Sequence, residues 1–136
     1  MNNVVHFEMP YGDRDRMAKF YESNFGWEYN FLGEEMGNYV VAMTTESDEK
    51  GPLKPGAING GFYPKSPDNP LPGPSFVIAV EDLEESMQKV KQTGGKVVSE
   101  SITIPGIGKY VIFEDTEGNR LSMLEPEEAG ESDRPD

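Results

Sequence analysis

Residues 4–28 read VVHFEMPYGDRDRMAKFYESNFGWE, and residues 75–98 read SFVIAVEDLEESMQKVKQTGGKVV. The second stretch repeats the first without a gap. His6 falls on Ser75, Asp13 on Asp82 and Gly26 on Gly95, each at an offset of 69. Matching features at a constant offset identify an internal duplication, which fixes the architecture before any residue is given a role.

Each copy opens as a strand and continues as a helix. In the first, Val5, Phe7 and Met9 make an apolar face while Val4, His6 and Glu8 point the other way, the period-two pattern of a strand with one face on a core. Pro10 ends it, and Asp13 is placed to accept from the free amides of a helix running to about Asn24. Met17, Phe20, Tyr21 and Asn24 share a helical face, with the aromatics and Trp27 expected in the core, and Gly26 supplies the left-handed stop. Phe76, Ile78 and Val80 repeat the core face in the second copy, Asp82 with Glu85 repeats the cap, and Leu83, Met87 and Val90 repeat the stripe.

Working outward, strands are expected over residues 27–32, 39–44 and 57–63, with 45–56 a polar loop. Residues 64–74 hold five prolines and read as a linker. After the second helix, strands are expected over 96–99, 109–114 and 120–125, with turns at 103–108 and 115–119. The plan is strand, helix, three strands, twice: an α+β protein of two tandem βαβββ modules, 3–63 and 75–126, in one domain over 1–126. The acidic tail, 127–136, is expected to fray.

Composition narrows the function. The chain has 136 residues and no cysteine, enough length for one core and no thiolate chemistry. Twelve basic against 25 acidic residues leave a net charge of −13, with the basic residues scattered. That disfavours nucleic acid and suits either plain solubility or cationic ligands. No secretory signal or membrane-spanning apolar run is evident, so a cytoplasmic location is expected.

VHFEMP, AKFYESNFGWE, GGF, VEDLEESMQKVKQTGGKVV, PGIGKYVIFEDTEGNR and LSMLEP together resemble the vicinal oxygen chelate superfamily of glyoxalase I, extradiol dioxygenases and bleomycin-resistance proteins. The similarity covers residues 3–126 and is greatest to a glyoxalase I-related branch. It implies paired βαβββ modules whose curled mixed sheet surrounds a cavity, a small-molecule ligand, and pairing into a homodimer. Metal-using members take one ligand from the first and one from the last strand of each module. Carried over, those positions are His6, Gly60, Ser75 and Ser122, of which only His6 is a good ligand. Catalytic metal sites ordinarily hold about three protein ligands, so no metal or other cofactor is expected.

By strand parity the concave face is expected to carry His6, Glu8, Ile58, Gly60, Phe62, Ser75, Val77, Ala79, Arg120, Ser122 and Leu124, with Tyr39 or Tyr110 at its mouth. Phe62, Ser75, Val77, Arg120 and Ser122 are the expected ligand contacts. His6 and Glu8, two apart on one face, form a candidate acid/base pair in which the carboxylate raises the imidazole pKa. The alternative is a purely structural histidine, with Glu8 paired to Arg120. The functional expectation is metal-free binding of a small ligand. The alternatives are a lyase or isomerase related to lactoylglutathione lyase, using His6, Glu8 and Glu125 with or without a divalent ion, and a drug-sequestering resistance protein.

Overall fold

The structure is a computed structural model that describes residues 1–127. The stretch from residue 128 on, most of the expected acidic tail, lies outside the described residues. The chain divides into two compact units, Val5–Phe76 and Met1–Val4 with the chain from Val77 onward.

The first unit runs β1 (Val4–Tyr11), α1 (Arg14–Phe25), β2 (Glu28–Phe31), a 3-10 turn (Glu34–Met36), β3 (Val40–Met43), a small hairpin of β4 (Ser47–Asp48) and β5 (Gly51–Pro52), and β6 (Asn59–Pro64). β1 lies parallel to β6, β6 antiparallel to β3, and β3 antiparallel to β2. The loop expected over 45–56 therefore contains a two-stranded hairpin, with Ser47 opposite Pro52.

The second unit has the same topology. β7 (Ser75–Ala79), which begins just before the division, is followed by α2 (Leu83–Gln92), β8 (Lys96–Val97), β9 (Ile102–Ile104), β10 (Gly108–Glu114) and β11 (Arg120–Pro126). β7 lies parallel to β11, β11 antiparallel to β10, and both β8 and β9 antiparallel to β10. The turn expected over 103–108 is partly strand, because Ile102–Ile104 pairs with β10 before Gly106 reverses the chain with φ 77°. The α+β class and the two βαβββ modules are those of the sequence reading.

Local chemistry accounts for the helix ends. The Asp13 carboxylate accepts from the Arg16 amide at 3.0 Å, and Gly26 closes α1 in the left-handed region. Asp82 accepts from the Glu85 amide at 3.0 Å at the start of α2. Thr93 caps the far end of α2, ahead of left-handed Gly94. Each helix covers the strands of its own module. Under α1, buried Val40, Ala42 and Phe62 pack with Phe7, Met9, Met17, Tyr21 and Trp27. Under α2, Val80, Leu83, Val111 and Met123 pack with Ile78, Met87 and Val90.

Phe20 departs from expectation. It is 56% exposed, because Met17 and Tyr21, one row of the helix four residues apart, face the sheet with Ala18 and leave Phe20 on the flank. It rests edge-on against Tyr21, with ring centroids 5.1 Å apart. Among the described residues no helix is long and apolar enough to cross a membrane.

Candidate functional site

The chemistry gathers on the sheet faces turned away from the helices. In the first unit β1 and β6 run in register with His6 opposite Asn59, Phe7 opposite Gly60, Glu8 opposite Gly61 and Met9 opposite Phe62. Side chains alternate across a strand, so His6, Glu8, Gly61 and Tyr63 share one face, while Phe7, Gly60 and Phe62 share the face under α1.

This corrects two expectations. Phe62, expected to contact ligand from the concave face, is 1% exposed in the core below α1. Gly60, expected at a ligand position, also faces α1, and a Cβ there would strike the Phe7 ring. The residue on the His6 face is Gly61. The error came from the double glycine, which carries no side chains to mark the parity of β6.

The two modules confirm the assignment by register. Glu8 stands opposite Gly61, and Val77, its counterpart 69 residues on, stands opposite Ser122. Gly61 is therefore the first-module equivalent of Ser122. The positions implied by the family resemblance become His6, Gly61, Ser75 and Ser122.

A cluster centred on a phenol occupies the first face. The Tyr39 hydroxyl lies 3.0 Å from His6 Nε2 and donates to Glu8 Oε2 at 3.2 Å. A phenol has one proton to give. With that proton directed at Glu8, His6 donates from Nε2 to the Tyr39 oxygen and keeps its lone pair on Nδ1. Burial lowers the His6 pKa from 6.5 to about 4, so the ring is neutral near pH 7. The expectation that the imidazole pKa would be raised is thus overturned: removal of the charged ring from water sets the shift, and it is downward. Glu8 is itself buried, and its charge, after burial, pushes the Tyr63 hydroxyl upward.

On the second face, Ser122 is fully buried and its Oγ lies 2.6 Å from the Tyr110 hydroxyl. Val77, opposite Ser122, is buried as well, and so is Ser75 on β7. Arg120 Nε meets Glu114 Oε1 at 3.2 Å across β10 and β11. Glu125 lies on the helix side, where its Oε1 accepts from the Leu83 amide at 2.9 Å and helps to cap α2. That placement removes Glu125 from the acid/base residues.

A groove of about 470 Å³ lined by Met9, Met17, Phe20, Tyr21 and Phe62 lies against α1, on the other side of the sheet from His6 and Glu8.

Tyr39, expected at the mouth, instead bonds both His6 and Glu8, and Tyr63 joins the same face without a signal in the sequence. The signal that finds Tyr39 is structural register. Val41 stands opposite Gly61 and Ile112 opposite Ser122. Two residues earlier on each of these strand lines stand Tyr39 and Tyr110. They are equivalents, one per module.

A divalent ion can be tested against the donor set. In the first module His6 is the one strong ligand, beside a glycine; in the second Ser75 and Ser122 offer neutral hydroxyls, which are poor ligands. Among the described residues no three His, Cys, Asp or Glu side chains come together as a metal site. The residues present do not fit the ion.

Two βαβββ modules, each with a parallel first-to-last strand pair and a polar face opposite its helix, define a glyoxalase-type fold. A family model described as the Glyoxalase/Bleomycin resistance protein/Dioxygenase superfamily matches residues 3–123, and the chain belongs to that superfamily. A glyoxylase-like domain-containing protein from Didymella fabae is 33% identical over 117 residues, covering 85% of this chain and 88% of that protein. Putative glyoxylase CFP32 from Mycobacterium bovis is 26% identical over 82% of this chain, which spans 40% of that protein. Two solved structures share the fold. Methylmalonyl-CoA epimerase from Mycobacterium tuberculosis has a TM-score of 0.65 at 15% identity, covering 92% of this chain and 88% of that one. Hypothetical protein BH1468 from Bacillus halodurans has a TM-score of 0.66 at 17% identity, covering 96% and 98%.

Proposed function

We propose that this chain is a member of the superfamily that binds a small organic molecule without the metal used by chelating members. The observation that carries the reading is the donor set His6, Gly61, Ser75 and Ser122. In the first module the face toward a ligand is His6, Tyr39, Glu8 and Tyr63. In the second it is Val77, Tyr110, Ser122 and Arg120. Each combines apolar surface with a few polar groups held by hydrogen bonds, the usual make-up of a small-molecule site.

A ligand screen by thermal shift, run with and without EDTA, tests this. A hit whose shift is unchanged by EDTA supports the proposal. A hit that requires a divalent ion, or a saturating screen with none, counts against it.

A second reading, an acid/base lyase or isomerase, draws on the Tyr39 hydroxyl that joins His6 to Glu8. A neutral imidazole and a carboxylate linked through one phenol can pass a proton between them. Turnover of an α-keto or vicinal-oxygen substrate, lost in His6→Ala, is the expected result. Activity that survives that change would remove His6 from the mechanism.

A further inference from the structure

The register equivalence of Tyr39 and Tyr110 has no role in the donor count above. Tyr39 immediately precedes β3 and Tyr110 lies within β10, each two residues before the one facing the last-strand position. Each sends its hydroxyl to that position. In the first module a Cβ on Gly61 would collide with the Tyr39 hydroxyl and ring carbons, so Tyr39 in this position leaves room only for glycine at 61. In the second, the Tyr110 hydroxyl holds the Ser122 oxygen at 2.6 Å. Two modules of one duplication thus reach the same arrangement with different residues on the last strand.

We infer that Tyr39 and Tyr110 are the specificity residues that close these positions to a metal ion, each placing a phenol hydroxyl where its own module's last-strand ligand would project. The inference rests on the metal-independent reading and supplies its cause. A carboxylate or imidazole at 61 needs the volume that Tyr39 fills. A glutamate at 122 would displace the hydroxyl pair of Tyr110 and Ser122. A phenol hydroxyl that stays protonated near neutral pH is a weak ligand for zinc or nickel, while it serves well as a hydrogen-bond donor. The exchange replaces an ion that polarises oxygen with fixed neutral dipoles on the same face.

The first module contains its own test, because His6, Glu8 and residue 61 share one face. Gly61→Glu adds a third donor, and Gly61→Glu with Tyr39→Ala adds it with the space to reach. Zn²⁺ titration of tag-free protein by calorimetry reads the result. The expected outcome is a gain of at least about tenfold in Zn²⁺ affinity for the double variant over Gly61→Glu alone, a step of about 1.4 kcal/mol. Equal binding by Gly61→Glu with Tyr39 intact, or no gain in the folded double variant, would overturn the assignment of Tyr39. Zn²⁺ binding by the unaltered protein would instead overturn the functional reading on which it rests.

Should the glutamate variants not fold, Gly61→Ala measured in unaltered and Tyr39→Ala backgrounds keeps the question open to refutation. Its urea midpoint should fall clearly with Tyr39 present and much less without it. The same loss in both backgrounds would show that Tyr39 does not fill the space at 61.

Discussion

Tyr39 Oη lies 3.0 Å from His6 Nε2, and the pairing across 33 residues joins β1 to the residue that leads into β3. The same hydroxyl donates to the buried carboxylate of Glu8. One phenol oxygen therefore mediates between the candidate base and the candidate acid. Its removal should be felt as stability, since it leaves polar groups in a dry place without that link.

Tyr39→Phe keeps the ring and deletes only the hydroxyl. The expected loss is roughly 1–3 kcal/mol, the cost of withdrawing a buried hydrogen-bond partner. Urea unfolding measures it. A variant as stable as the parent would mean that the hydroxyl contributes nothing to the fold.

His6 is the single histidine of the chain, so its titration can be followed in stability. Its pKa is about 4 in the folded protein against an ordinary 6.5. Between those values the unfolded chain binds more protons than the folded one, so stability is full above about pH 6.5 and falls as pH drops toward 4. The span corresponds to roughly 3 kcal/mol, of which about 2 are lost by pH 5, before most carboxylates titrate. Unfolding free energies at pH 7, 6 and 5 should show the decline, and His6→Gln should flatten it. A slope unchanged by His6→Gln would contradict a buried neutral imidazole.

Phe62 offers a check on the corrected parity of β6. It is buried to 1% beneath α1, so Phe62→Ala should cost about 3–5 kcal/mol through the cavity it leaves. Phe62→Leu should recover most of that loss and leave ligand-induced thermal shifts intact. Selective loss of ligand response in a stable Phe62→Leu protein would return Phe62 to the ligand face.

Gly108 sits at φ 148°, and a Cβ there would run into the backbone carbonyl of Glu125 on the paired strand. Gly108→Ala combines a strained backbone with overpacking against main chain that cannot rotate away. The expected cost is about 3 kcal/mol or more. Gly106→Ala, where a Cβ meets open space, should cost only the backbone strain, roughly 1–2 kcal/mol. Thermal melts of the pair decide it, and equal losses would contradict the close approach at Gly108.

The fold was legible because its signals are local and doubled. Alternation in 4–9 and the aspartate caps at 13 and 82 carry it, the caps at one offset; the left-handed glycine after each helix is Gly26 in one copy and Gly94 in the other, and Phe76 of the expected second core face is exposed. The strand face was legible only where side chains mark it: His6 and Glu8 on β1, Ser122 on β11. At Gly60–Gly61 nothing marks it, and the phase of β6 slipped by one residue, carrying Phe62 to the wrong side. The Tyr39 contact was not legible, because it depends on the register between β3 and β6. The lowered His6 pKa was not legible either, since it follows from how much water the folded chain excludes. A two-stranded hairpin hid in the polar stretch 45–56 because its strands are too short to show periodicity.

The most direct test of the central claim is the metal content of tag-free protein, with the change in melting temperature on adding Zn²⁺, Ni²⁺, Mn²⁺ or Fe²⁺, and with His6→Ala measured alongside. Substoichiometric metal and no shift with any of the four ions are expected in either protein. Near-stoichiometric metal that disappears with His6→Ala would contradict it.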